Sequence, residues 1–207
     1  MDKKHSTRKA QLSAAKQALL AKRLKGKSRR QLPTIPQRDP AVLVPLSFSQ
    51  QRLWFLYQFE PENPFYNVPF ALRLRGKLDI LALDRSFQTL VQRHEILRTT
   101  IDDATGDPQQ VIHSQGTVTL NHIDISSTPV DGLWSQVKQL AHQEAGQPFN
   151  LIQGPFLRIT LLILAADEFV LLVTLHHIIS DVWSTTILVQ EIATLYHAYT
   201  QAKPNPL

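Results

Sequence analysis

Cysteine is absent from the 207-residue chain, which excludes a disulfide framework and any thiolate metal site. Nothing in the thiol content then asks for an oxidising compartment, and the cytoplasm is the expected location. Also missing is the apolar segment that a secretory signal carries near its N-terminus, and no run reaches the ~18 apolar residues of a membrane span. The longest candidate, residues 156–179, is interrupted by Arg158, Asp167, Glu168 and two histidines, and suits a buried hairpin better. No Gly-x-Ser-x-Gly occurs, so the nucleophile elbow of a serine hydrolase is lacking. The chain has no internal repeat.

Acidic residues are scarce in one region only. Residues 1–38 hold twelve Lys/Arg against the single acid Asp2, a net charge of +11, while the remainder is net −6. The overall charge of +5 therefore belongs to a leader, and the part with enough apolar residues to fold is acidic. The leader also lacks interleaved aromatics, so nucleic-acid binding is not expected. Ser13 can cap a short basic helix that stops at Gly26. Pro33, Pro36 and Pro40 mark an extended spacer, which sets a leader at residues 1–40 and a folded region at residues 41–207.

Beyond residue 40 the pattern predicts alternating strands and helices. A short strand at residues 42–46 leads to Ser47 or Ser49, either of which can cap a helix that Pro61 and Pro64 end. Residues 66–75 alternate Val68, Phe70, Leu72 and Leu74 with more polar neighbours, and Pro69 marks this strand as an edge. Asp79 opens a helix with Leu83, Phe87, Leu90, Val91 and His94 on one stripe. Strands follow near residues 99, 109–113 and 118–123, the first two joined by a hairpin tip at residues 105–108, and then a helix over residues 133–145. The near-continuous apolar runs at residues 156–165 and 169–177 read as strands in the middle of a sheet covered on both faces. A last helix should place Trp183, Ile187, Leu188, Ile192, Leu195, Tyr196 and Tyr199 on one flank, with Trp54 and Trp183 in the core. The fold class expected is α/β (α+β), a mixed and largely antiparallel sheet with helices packed on it.

The second of those central strands delivers His176 and His177 to a turn with Asp181 four residues on. Neighbouring strand residues point to opposite faces, so the two histidines do not grip one metal together, and no metal site is expected. A single histidine at a strand end is suited to moving a proton near neutral pH, with the acid orienting or charge-balancing it.

Three stretches together resemble the condensation domains of nonribosomal peptide synthetases. Ser47-Phe48-Ser49-Gln50-Gln51-Arg52-Leu53-Trp54-Phe55-Leu56 looks like that family's first motif and Arg93-His94-Glu95-Ile96-Leu97-Arg98-Thr99 like its second. His176-His177-Ile178-Ile179-Ser180-Asp181-Val182 is similar to its HHxxxDG signature, and residues 149–158 resemble the lead-in to the strand pair. The resemblance covers about residues 42–207 and implies the N-terminal lobe of a two-lobed, chloramphenicol acetyltransferase-like fold, with the C-terminal lobe absent from these residues. It implies amide bond formation between substrates tethered to carrier proteins through phosphopantetheine arms, with no cofactor bound directly. His177 would be the general base or positioning group, His176 a packed supporting residue, and Asp181 a structural partner of Arg98, with Arg93 as the other candidate. The lone lobe would be inactive without its second half. Val182 stands where the family has glycine, and a positive φ there would strain a β-branched residue. The alternatives are a non-catalytic module that binds carrier proteins or docks through the basic leader, and an epimerisation-type relative.

Overall fold

The computed structural model describes residues 38–39, 42–104 and 106–207. The helix and spacer expected in the leader lie outside the described residues, as does Thr105 in the expected hairpin tip. The chain divides into Met1–Val42 and Leu43–Leu207, and every element below belongs to the second unit.

In order these are β1 (Val44–Pro45), α1 (Phe48–Phe59), a 3-10 turn (Pro64–Tyr66), β2 (Asn67–Arg75), α2 (Ile80–Arg93) and a second 3-10 turn (Glu95–Arg98). There follow β3 (Thr99–Asp102), β4 (Gln109–Ile112), β5 (Leu120–Asp124), α3 (Val130–Ala145), β6 (Leu157–Ala165), β7 (Glu168–His176) and α4 (Val182–Thr200). The main sheet has the order β2-β7-β6-β5, and a smaller one the order β1-β4-β3. Among the described residues only β5 against β6 is parallel. The mixed, largely antiparallel architecture is thus the one the sequence predicts.

The two apolar runs form the central β6–β7 hairpin, paired from Leu157 opposite Leu175 to Ala165 opposite Glu168. Both its faces are covered. Odd-numbered Leu171, Val173 and Leu175 join Phe87 and Leu90 of α2 and Leu188 of α4. Even-numbered Val170 and Leu172 meet Val137 of α3 on the other face. Complete burial of side chains such as Leu90 and Leu195 contributes about 1.5–3 kcal/mol each. β2 is an edge strand, as Pro69 requires, because proline has no N–H to offer a further neighbour. Asp79 caps α2 by accepting the Ala82 N–H at 2.9 Å.

Helix α3 begins three residues before its expected start. Its first turn holds an exposed Val130, Asp131 and Gly132, which give no apolar period to read. The expectation for Trp183 is overturned: it is 77% exposed, while Leu188, Leu195 and Ala198 carry the burial of α4. Trp183 lies about 140° around the helix from Leu188 and so faces away from the sheet. Trp54, in contrast, is buried with Leu53 against Phe149, Leu151, Phe156 and Ile178.

Candidate active site

The end of β7, the start of α4 and the start of α1 converge on a polar groove of about 600 Å³, whose lining includes Ser47, Gln50, Arg52, His177, Asp181 and Ser184. The turn after β7 is tightly held. His176 N–H donates to the Phe156 carbonyl and His177 N–H to the Tyr66 carbonyl, the latter at 2.8 Å. Ile179 N–H and the Ser180 hydroxyl both donate to the His176 carbonyl.

The alternation of the strand carries into this turn and separates the two histidines. His176 is 5% exposed, on the same side of β7 as Leu172 and beside the Tyr66 and Phe149 rings. Its Nδ1 accepts the Ile178 N–H at 3.0 Å, which puts its proton on Nε2. Burial first, and the neighbouring His177 second, lower its pKa to about 4. His177 is exposed in the groove, and its Nδ1 lies 2.5 Å from the Ser180 carbonyl oxygen. A carbonyl only accepts, so Nδ1 carries the hydrogen and the neutral ring presents the Nε2 lone pair. That arrangement suits a general base.

Asp181 caps α4. Its Oδ1 accepts the Ser184 N–H at 2.7 Å while the Ser184 hydroxyl oxygen accepts the Asp181 N–H at 2.8 Å, a reciprocal capping box. The Ser184 backbone N–H, then the Ser184 side chain, and more weakly the charge of His177 hold this carboxyl below the usual range. The expected pairing with Arg98 is not formed. Arg98 ends a 3-10 turn, and its guanidinium turns to the His113 carbonyl and, at 3.8 Å, to Glu95. A close approach fixes that course: a Cβ added to Gly116 would sit 2.6 Å from the Arg98 Cβ. Arg93, the other candidate, pairs with Glu191 at 3.4 Å. We therefore expect Asp181→Asn, which keeps an acceptor for the cap, to retain the melting temperature and Asp181→Ala to lower it. Equal losses in a thermal melt would instead indicate that the charge is needed.

Strain at Val182 is likewise not found. Val182 is the first residue of α4 with a helical backbone, and among the described non-glycine residues only Ala202 has a positive φ. Its side chain is 88% exposed, next to the exposed Trp183. Among the described residues no cluster of His, Cys, Asp or Glu is arranged to hold a metal. No helix among them is long and apolar enough to cross a membrane.

Gln50 entered the sequence reading as part of the first motif but was given no role, though Ser47-x-x-Gln50 is a capping-box pattern. Its Oε1 accepts the Ser47 N–H at 2.9 Å and its Nε2 donates to the Ile178 carbonyl at 3.3 Å, which ties α1 to the histidine turn. The Ser180 and Tyr66 carbonyls also left no sequence signal, because main-chain acceptors belong to every residue.

His176 gives the turn a pH dependence. An unfolded histidine takes up its proton near 6.5 and the folded His176 only near 4, so the unfolded state binds more protons between those values. Stability is complete above about pH 6.5 and falls as the pH drops toward 4, by up to about 3 kcal/mol from this group. Urea unfolding at a series of pH values should show the slope, and His176→Asn should remove most of it. A slope unchanged in that variant would assign the effect to other groups.

Comparison with known proteins finds relatives of the chain. The family model described as Condensation domain matches residues 41–207. A linear gramicidin synthase polypeptide of Brevibacillus parabrevis is 50% identical over 158 residues, which cover 76% of this chain and 3% of that protein. Phosphinothricin tripeptide synthetase PhsC of Streptomyces viridochromogenes is 38% identical over 194 residues, 93% of this chain and 18% of that protein. The chain thus spans a small part of these relatives. Among solved structures, the starter condensation domain of rhizomide synthetase RzmA superposes with a TM-score of 0.75 at 20% identity, covering 81% of this chain and 40% of that one. The first condensation domain of the CDA synthetase gives 0.73 at 20% identity, covering 81% and 43%. The fold is that of one part of these domains.

Proposed function

The chain belongs to the condensation-domain family, and from that membership we propose that it supplies the histidine-bearing lobe, residues 41–207, for amide bond formation between two thioesters held on carrier proteins. The observation that carries this reading is the orientation of His177: Nδ1 is engaged by the Ser180 carbonyl and the Nε2 lone pair is left for the groove. The acceptor's amine nitrogen attacks the donor's thioester carbonyl, forming the C–N bond and breaking the C–S bond. His177 Nε2 takes the amine proton or holds the amine in line, and a proton ends on the departing thiol. Asp181 and His176 support the site by capping α4 and by holding the Ile178 N–H. Arg98 stays outside this set. Substrates arrive on phosphopantetheine arms of carrier proteins, and no cofactor is bound directly.

Enclosure of the reaction requires a second lobe. The solved relatives are matched over about two fifths of their length, and Val182 and Trp183 stand exposed beside Asp181. The 207-residue chain alone is expected to give no amide product from carrier-bound aminoacyl substrates, and addition of a complementing second lobe to restore it. Robust product from the chain alone, followed by mass spectrometry, would refute the requirement. Strain at Val182 would have favoured the non-catalytic alternative, and the helical backbone there removes that ground.

A further inference from the structure

Behind the histidine turn lies a second cavity, about 180 Å³ in volume, whose lining includes Tyr57, Phe59, Glu60, Asn63, Tyr66 and His176. It does not overlap the lining of the His177 groove except at Leu53. The buried His176 already uses its Nδ1 as an acceptor for the Ile178 N–H. Its Nε2–H is a donor with no protein partner among the described residues. The low pKa keeps the ring neutral at physiological pH, so the pocket offers a donor without a charge.

The Glu60 side of the pocket is built with similar economy. Asn63 is locked by accepting the Phe65 N–H at 2.9 Å and by donating to Glu60 Oε2 at 2.6 Å. That leaves Glu60 Oε1 as an acceptor with no protein partner among the described residues. The rings of Tyr57, Phe59 and Tyr66 line the same pocket, with Tyr57 stacked on the buried Trp54 at 5.4 Å between centroids.

We infer that this pocket binds a neutral amide group, whose carbonyl oxygen accepts from His176 Nε2–H, whose N–H donates to Glu60 and whose planar body lies against the aromatic rings. An anion would meet the Glu60 carboxylate with only one uncharged donor in return. An ammonium would leave the His176 donor buried without an acceptor, which costs about 1–3 kcal/mol. The volume falls below the ~300 Å³ of a pocket for a whole drug-sized ligand, so it takes one end of a molecule. Carboxamide side chains and peptide groups share this chemistry. The proposal does not depend on the condensation reading.

The test follows the His176 imidazole nitrogen resonances of the 207-residue chain during titration with isobutyramide, a primary carboxamide, and with N-acetylalanine methylamide, a peptide mimic. Isobutyrate and isobutylamine serve as charged controls of the same shape. A saturable shift of the His176 Nε2–H signal with either amide is expected, and whichever binds tighter identifies the source. His176→Asn keeps an acceptor for the Ile178 N–H but has no Nε2–H, so binding read at the backbone amides of Glu60 and Asn63 should weaken about fivefold to tenfold, the value of one uncharged hydrogen bond. Glu60→Ala, at an exposed position, should weaken it similarly and covers the case in which His176→Asn fails to fold. No saturable shift up to the solubility limit, an equal response to the charged controls, or unchanged affinity in Glu60→Ala would overturn the proposal.

Discussion

Replacing His177 by alanine is expected to lower the rate of amide formation in a complete condensation domain by about 10² to 10⁴, the range for removal of a general base. The fold should not notice the change, because the side chain is exposed and its one side-chain hydrogen bond is local, to Ser180. Single-turnover transfer between carrier-bound donor and acceptor, measured with the complementing lobe present, reads the rate. A thermal melt reads the fold. An unchanged rate would end the catalytic assignment, and a collapsed melt would mean that the turn depends on His177 in a way its contacts do not suggest. Ser180 matters here through its carbonyl, which holds the tautomer, so substitutions that keep the turn should keep the chemistry. His176 differs: its loss removes the acceptor for the Ile178 N–H and so loosens the turn on which His177 sits.

The largest effect on stability is expected at Arg158. Its Nε donates to Glu144 Oε1 at 2.8 Å, and its Nη1 and Nη2 donate to the Pro148, Glu144 and Gln147 carbonyls. The guanidinium also lies 3.8 Å above the centre of the Phe149 ring. One side chain thereby satisfies carbonyls around the end of α3 and joins them to β6, one of the two inner strands of the main sheet. Both partners of the ion pair are largely buried, at 19% and 12% exposure. Arg158→Leu would leave the Glu144 carboxylate without its cation, and removal of one partner from a buried pair costs about 3–5 kcal/mol. Lysine should not rescue, since a single ammonium cannot reproduce a planar fork with several donors. The double variant Arg158→Leu/Glu144→Leu should lose less than Arg158→Leu, because no charge is then stranded. Urea unfolding of the natural chain and these three variants decides the matter: a loss under about 1 kcal/mol for Arg158→Leu would show that the network is dispensable.

Much of this molecule is legible in its sequence. Period and apolar content suffice for β6, β7 and α2, because a stripe of Leu83, Phe87, Leu90 and Val91 or an unbroken apolar run allows few other solutions. Pro69 marked its strand as an edge since the missing N–H acts locally. Strand alternation separated His176 from His177, and the family resemblance chose His177 for the chemistry and His176 for the packed place. These features are local, and local chemistry is written in neighbouring residues.

What tertiary structure decided are the meetings between distant segments. Asp181 was expected to hold Arg98; instead it caps α4, and Arg98 bends toward His113 past a glycine eighteen positions away. Trp183 looked like core until the packing of α4 chose Leu188 and Leu195 as its inner face. The strain feared at Val182 vanished because the helix begins at that residue, a boundary that the capping box of Asp181 and Ser184 sets. Above all, the tautomer of His177 rests on the carbonyl of Ser180 and the placement of its turn on the carbonyl of Tyr66. Every residue has a carbonyl, so only the folded chain can say which one lies within reach of the ring.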